Sequence, residues 1–214
     1  AGYFYYTMEL ADDRNGGRQV DPEKYMAKSL LSELRARGNF TSRDCLSLGA
    51  TIARAADCMH KAGLVHRDIK PANIVYLNGT PKLADIGSVK LLDDSISIAG
   101  TEGYMPLEGP GRPVADIFSL GRVLYEMGTG KDSAQYPELL DSFKESIHPE
   151  LQGLHKIILK CCARMPEDRY KDAGALADAL DKVADPQSSK VSPAIILGGL
   201  VLLGLLGYIL YTIL

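Results

Sequence analysis

The helical periodicity that runs through most of this chain stops at Gly63, and from Leu64 to Leu83 short apolar runs, IVYL and PKLA, flank Asn78-Gly79 instead. Asn-Gly takes the positive φ angles of a two-residue turn at little cost, so this is the composition of a tight hairpin. Before it, Cys45, Leu48, Ile52, Ala56 and Met59 step by three and four. That is one apolar stripe on a long helix, with Thr41 and Asp44 as a capping pair at its start. After it, a loop-rich stretch runs from Gly87 to Pro113. Helical patterns then occupy approximately 115–129, 133–146, 150–163 and 172–183, punctuated by Pro137, Pro149 and Pro166. A hairpin set among helices predicts an α+β fold, mainly α-helical.

The two ends have a different character. Residues 1–10, AGYFYYTMEL, open on an aromatic run of strand character without an initiator Met or signal peptide, as expected of a piece of a longer chain. A turn-rich ADDRNGGRQVDP follows, and Pro22 is placed for the first turn of a helix reaching Arg37, which Gly38 stops. Residues 11–183 thus form one domain, and 184–193, ADPQSSKVSP, form a polar linker with two prolines. Residues 194–214 carry no charge. As a helix these roughly 21 residues reach about 31 Å, against a hydrocarbon core of about 30 Å, which predicts one transmembrane helix. Tyr208 and Tyr211 suit an interfacial anchor, and Lys182 and Lys190 at the near end place the preceding domain in the cytoplasm. Ala194 and Gly198 make a small-xxx-small face that allows a dimer.

Composition excludes several classes of partner. A net charge of -3, with no dense Lys/Arg run, argues against nucleic acid. The four cysteines lack C-x-x-C spacing and fit a reducing compartment, with Cys161 and Cys162 as buried small residues on a helix. His60, His148 and His155 lack a metal-ligand spacing with a carboxylate, so no zinc is expected.

The chemistry is concentrated in HRDIKPANIVYLNGTPKLADIG, His66 to Gly87. His66-Arg67-Asp68 precedes Asn73 by four intervening residues, and Asp85-Ile86-Gly87 follows the hairpin. This order resembles the H-R-D-x-x-x-x-N catalytic loop and the D-F-G magnesium loop of eukaryotic-type Ser/Thr protein kinases, including their bacterial relatives. The resemblance implies the large lobe of a kinase, with the hairpin at its catalytic cleft, ATP and Mg²⁺ as cofactors, and Ser or Thr hydroxyls of proteins as acceptors. Phosphoryl transfer needs mainly placement and charge neutralisation. The resemblance makes Asp68 the group that takes or orients the hydroxyl proton and Lys70 the compact cation for the moving phosphate. Asn73 and Asp85 become the oxygen ligands of Mg²⁺, a hard ion that accepts few ligands from protein. His66 is expected to pack and hydrogen-bond rather than react.

The flanking sequence carries the rest of the pattern in order. Gly100 to Glu108, GTEGYMPLE, resembles the end of an activation segment, with Pro-Leu-Glu where Ala-Pro-Glu is usual. Asp116 to Gly121, DIFSLG, resembles the start of the buried helix whose Asp ties back to the catalytic loop. Arg169 is then the ion-pair partner of Glu108. YYTMEL resembles the last small-lobe strand entering the hinge, which implies Met8 guarding the nucleotide pocket, the backbone of Glu9 and Leu10 against adenine, and Val75 and Ala84 as apolar walls. The likeness spans approximately residues 3–183.

Two departures stand out. Ile86 replaces the aromatic residue of D-F-G. The Gly-rich loop, strand Lys and helix Glu that the family uses over the phosphates are not in these 214 residues, so the stretch alone is expected to be inactive. Arg67 and Lys90 could form a basic pocket for a phosphate on Ser95 or Ser97, or these serines are plain loop residues; Thr101 is expected to hydrogen-bond within the substrate end of the loop. An alternative function is a catalytically silent pseudokinase scaffold. Retention of Asp68, Lys70, Asn73 and Asp85 favours the enzyme.

Overall fold

Leu30–Arg37 (α1) and Ser42–Lys61 (α2) open the helical part of this computed structural model, which describes residues 8–16, 20–85, 90–91, 101–138 and 148–186. The strands Leu64–Val65 (β1), Ile74–Leu77 (β2), Thr80–Leu83 (β3) and Lys90–Leu91 (β4) follow, then Pro113–Thr129 (α3), Pro149–Cys161 (α4) and Ala173–Ala184 (α5). The chain divides into two units, Ala1–Ala184 and Asp185–Leu214. Of the second, Asp185 and Pro186 are described.

The apolar stripe of α2 points inward as expected. Cys45, Leu48, Ile52 and Ala56 are buried, while Met59 is half-buried. Thr41 caps the helix, its Oγ1 accepting from Asp44 N at 3.1 Å, a contact worth about 1 kcal/mol. Helices α2, α3, α4 and α5 share one core that includes Leu46, Ile52, Leu120, Leu124, Leu154, Ile158, Leu176 and Leu180. Each such side chain contributes roughly 1.5–3 kcal/mol by leaving water. Two glycines set how closely the helices approach. A Cβ on Gly49 would lie 2.8 Å from Leu124 Cδ2, and one on Gly121 would lie 2.5 Å from Cys161 Cβ. The buried thiols are inert by the same packing, since loss of solvation pushes Cys45 and Cys162 up to about 12.

The hairpin forms as its sequence requires. Strands β2 and β3 pair antiparallel with Ile74 opposite Leu83 and Leu77 opposite Thr80. Asn78 and Gly79 turn at φ 53° and 76°. Strands β1 and β4 make a second short ladder, with Leu64 opposite Leu91 and Val65 opposite Lys90.

The helix expected from Pro22 begins only at Leu30, where Ser29 and Ser32 close a capping box. The preceding backbone is occupied elsewhere: Met26 O accepts from Arg14 N, Lys28 N donates to Asp12 O, and Lys28 O accepts from Tyr76 N. Long-range pairing with the segment after residue 8 and with β2 wins over local helix formation there. In the 133–146 region, Ser133–Gln135 forms a 3₁₀ turn, and residues 139–147 lie outside the described residues. So do residues 1–7 of the strand and hinge expected over 1–10, whose described residues 8–10 are not in a strand, and Ile86, Ser95, Ser97 and the apolar segment 194–214. Among the described residues, no helix is long and apolar enough to cross a membrane.

Candidate active site

The loop between β1 and β2 is organised around a buried carboxylate. Asp116, in the first turn of α3, is 1% exposed. Its oxygens accept from His66 N and Arg67 N, both at 2.9 Å, and from His60 Nε2 at 2.8 Å. A desolvated carboxylate is tolerable with three donors on it and the positive end of a helix beneath it. In return it holds Arg67 at φ 71°, a conformation that costs a non-glycine residue about 1–3 kcal/mol. The tie between Asp116 and the loop is the one the sequence led us to expect. The role of His60, at the end of α2, was not foreseen. Its position six residues ahead of His66 was the available signal.

One ring tautomer satisfies His66. Its Nε2–H donates to Ala84 O at 3.0 Å, and its Nδ1 accepts from Asp68 N at 3.4 Å. His66 is therefore a brace between the catalytic loop and the end of β3, as anticipated.

Asp68 and Lys70 flank Ile69, and Lys70 is extended ahead of Pro71, with φ -152° and ψ 165°, as a residue before proline prefers. Lys70 Nζ donates to Asp68 Oδ2 at 2.7 Å. The 3₁₀ turn Pro71–Asn73 then brings Asn73 back, and its Nδ2 donates to Asp68 Oδ2 and to Asp68 O, both at 2.9 Å. From the far side of the loop Thr101 Oγ1 donates to Asp68 Oδ1 at 2.7 Å and accepts from Lys70 Nζ at 2.8 Å. Burial pushes the Asp68 carboxyl up, but the bonds from Lys70 and Thr101, the Lys70 charge and the Asn73 amide outweigh it and hold the group below its usual range. Asp68 is thus an ionised acceptor pointed at a hydroxyl. Thr101 hydrogen-bonds at this end of the segment as expected, with Asp68 and Lys70 as its specific partners.

The open end of the hairpin carries the two expected metal ligands, Asn73 and Asp85, on paired backbone. Ala84 N donates to Asn73 O at 2.8 Å, extending the β2–β3 ladder by one pair and leaving Asp85 one residue beyond. Asp85 is exposed with φ 62°. Because the Asn73 amide nitrogen is turned to Asp68, its oxygen is the atom left for a cation. Two protein oxygens from neighbouring loops match Mg²⁺, which keeps most of its ligands as water and phosphate. Among the described residues, no group of three or more His, Cys, Asp or Glu could hold a metal.

A recess of about 150 Å³ lies beside the hairpin, lined by Met8, Glu9, Ala11, Val75, Leu77, Lys82 and Leu83. Met8, Glu9 and Val75, three of the residues expected at the nucleotide, are among its lining. Leu10 is exposed, and Ala84 is buried between Asn73 O and the His66 ring; neither lines the recess. Leu77, Lys82 and Leu83 were not anticipated, although strand alternation from Val75 could have identified Leu77. Asp12 fixes this edge, its carboxylate accepting from Asn78 N at 2.8 Å and Gly79 N at 2.7 Å.

Arg169, 4% exposed, meets Glu108 in a two-point ion pair at 2.5 and 3.1 Å. It also donates to Ala163 O, Val114 O and Arg164 O. Glu126 on α3 accepts from Ser133 N at 2.9 Å and hydrogen-bonds Tyr104. Burial raises its pKa despite these bonds. Arg67 is buried, and its Nε and Nη1 have no partner among the described residues.

Comparison with known proteins agrees with this geometry. The profile of the protein kinase domain matches residues 22–187, and the chain belongs to that family. It is 34% identical over 182 residues to a probable serine/threonine-protein kinase of Clostridium acetobutylicum, covering 75% of this chain and 28% of that protein. A probable serine/threonine-protein kinase of Clostridium perfringens is 30% identical over 186 residues, covering 77% and 27%. The probable serine/threonine-protein kinase PknB of Corynebacterium glutamicum is 27% identical over 205 residues, covering 83% and 32%. The chain therefore spans about a third or less of the relatives' length.

Proposed function

We propose that the full-length protein is a Ser/Thr protein kinase that moves the γ-phosphate of ATP to Ser or Thr hydroxyls of other proteins. The observation that carries this reading is Asp68, ionised and bonded by Lys70, Asn73 and a hydroxyl at once. Asp68 takes the acceptor's proton, Lys70 offsets charge on the transferring phosphoryl group, and Asn73 and Asp85 would hold Mg²⁺, which would supply further charge neutralisation for the nucleotide. The recess along Val75, Leu77 and Leu83 takes the adenine ring, with the backbone after Met8 as its polar edge. Arg67, buried with two unpartnered nitrogens, suits capture of a phosphate on the segment carrying Ser95 and Ser97.

None of the 214 residues supplies a Gly-rich loop, strand Lys or helix Glu, so the isolated stretch is expected to be silent. The test uses the full-length protein with labelled ATP, Mg²⁺ and myelin basic protein. Wild type should label the substrate, and Asp68→Asn and Asp85→Asn should each slow labelling on the order of 10²–10⁴-fold. Undiminished transfer by both variants overturns the mechanism.

The apolar, uncharged 194–214 segment further supports a single-pass membrane anchor with the kinase lobe in the cytoplasm. Deleting 194–214 from the full-length protein should move it from the membrane pellet to the soluble fraction. Retention in the pellet after alkaline extraction overturns the anchor.

A further inference from the structure

A recess of about 520 Å³ opens where the end of α2 meets the starts of α3 and α5, a size within the roughly 300–1,000 Å³ of small-molecule sites. Its polar lining is Asp57, His60, Lys61, Lys171, Asp172 and Asp178. His60 is the most enclosed of these, with its side chain 7% exposed. Its Nε2–H donates to Asp116, which leaves Nδ1 of the neutral ring as an acceptor. That nitrogen is buried and has no partner among the described residues. An enclosed acceptor left unpaired is unfavourable, so the site selects for a donor.

The other groups of the recess answer one another, with one exception. Lys61 Nζ lies 2.6 Å from Asp57, and Lys171 Nζ lies 3.7 Å from Asp172. Asp172 Oδ1 also accepts from Ala175 N at 2.6 Å, and a Cβ on Gly174 would lie 3.2 Å from Asp57 Oδ1. The positive end of α5 therefore already faces carboxylates and does not call for an anion. The Asp178 carboxylate has no partner among the described residues. What is missing is thus a donor for an imidazole nitrogen and a positive charge for a carboxylate, at the negative end of α2. One guanidinium supplies both, because it is always charged and spreads five N–H donors over a plane. A divalent cation is served less well: Mg²⁺ and Ca²⁺ want several oxygen ligands, and Asp178 alone is free to give them.

We propose that this recess is a guanidinium site, filled by an arginine side chain of a peptide or by a free guanidine such as agmatine. A donor on Nδ1 polarises the ring and strengthens the bond from Nε2–H to Asp116, whose oxygens hold His66 N and Arg67 N. The ligand thereby bears on the loop that presents Asp68. Binding itself does not depend on the phosphotransfer reading above; the link to turnover does.

The experiment titrates full-length protein by calorimetry with agmatine, for the free source, and with acetyl-Ala-Arg-Ala-amide, a peptide without an acceptor hydroxyl, for the other. At least one should bind saturably, and the same peptide with citrulline, a neutral isostere of arginine, should not. Asp178→Asn, at an exposed position, should weaken binding about tenfold or more. His60→Phe should abolish it; where that variant fails to fold, Asp178→Asn decides. No saturable heat with either probe up to about 10 mM, equal binding of the citrulline peptide, or undiminished affinity of Asp178→Asn overturns the site. With ATP, Mg²⁺ and myelin basic protein, saturating ligand should raise kcat about twofold or more with KM for ATP unchanged. Unchanged kcat at saturation overturns the link to the loop. Absence of labelling with and without ligand overturns the kinase reading, and the titration then still decides the site.

Discussion

The helical body and the catalytic loop are both largely buried, but different forces hold them. Around α2, α3, α4 and α5, apolar side chains such as Leu46, Ile52, Leu124 and Leu180 are fully enclosed, and the loss of any one is spread over many neighbours. In the loop from His66 to Asn73, position depends on a few directed bonds to two carboxylates, Asp116 and Asp68. Burial stabilises without fixing atoms to a fraction of an ångström. A hydrogen bond to a buried charge does fix them, and it fails abruptly when one partner is removed. The body should therefore tolerate substitutions that the loop does not, and damage to the loop should exceed its effect on stability.

The largest effect should come from Asp116→Ala. It strands His66 N, Arg67 N and the His60 ring, at about 1–3 kcal/mol for each unsatisfied donor. Urea unfolding of the full-length protein should show a loss on the order of 3–6 kcal/mol. Phosphotransfer per folded molecule should fall as well, and normal turnover in the folded fraction would show that loop geometry does not need this anchor. Arg169→Ala should cost about 3–5 kcal/mol, because Ala163 O, Val114 O and Arg164 O lose a buried charged donor at about 1–3 kcal/mol each. A loss below about 1 kcal/mol would mean these bonds count for no more than a surface ion pair. Leu124→Ala, in the body, should cost roughly 2–5 kcal/mol through transfer and cavity terms while leaving turnover per folded molecule unchanged. Reduced turnover at full occupancy of the fold would erase the contrast.

The smallest effect is in pH, and the two regions have opposite signs. Asp68 is held below its usual value of 3.8, so it adds stability above that pH which is lost as pH falls through its lower folded pKa. Glu126 is raised above 4.5, first by burial. Its contribution is complete below 4.5 and is lost as pH rises through the raised value. Urea midpoints of Glu126→Gln should therefore change less than those of wild type between about pH 4.5 and 7. Parallel profiles would show that the environment of this carboxyl does not bear on folding.

Legibility in the sequence followed the range of the forces. The hairpin at Asn78-Gly79 and the α2 stripe were readable because turn chemistry and helical period are local. Asp68, Lys70, Asn73 and Asp85 could be named as candidates because all four lie at fixed spacing within one segment. The start of α1 was not, because the backbone from Met26 to Lys28 bonds to Arg14, Asp12 and Tyr76, partners that no local pattern announces. The β1–β4 ladder is too short for any alternation to show. The same limit applies to His60 and to the bond between Tyr104 and Glu126. The recess beside the hairpin was half legible: Val75 pointed to it, whereas Lys82 and Leu83 enter through strand pairing.

The clasp of Asp12 on the hairpin turn gives the site a mechanical property. At one end of the hairpin, Asn78 and Gly79 are tied to the segment that begins at Met8; at the other end sit Asn73 and Asp85. Four-residue strands of about 3.3 Å per residue make this a stiff lever roughly 13 Å long. A pull or twist applied to the segment at Met8 reaches Asn73 and Asp85 through paired backbone, and a load taken up at those two residues travels back along the same lever.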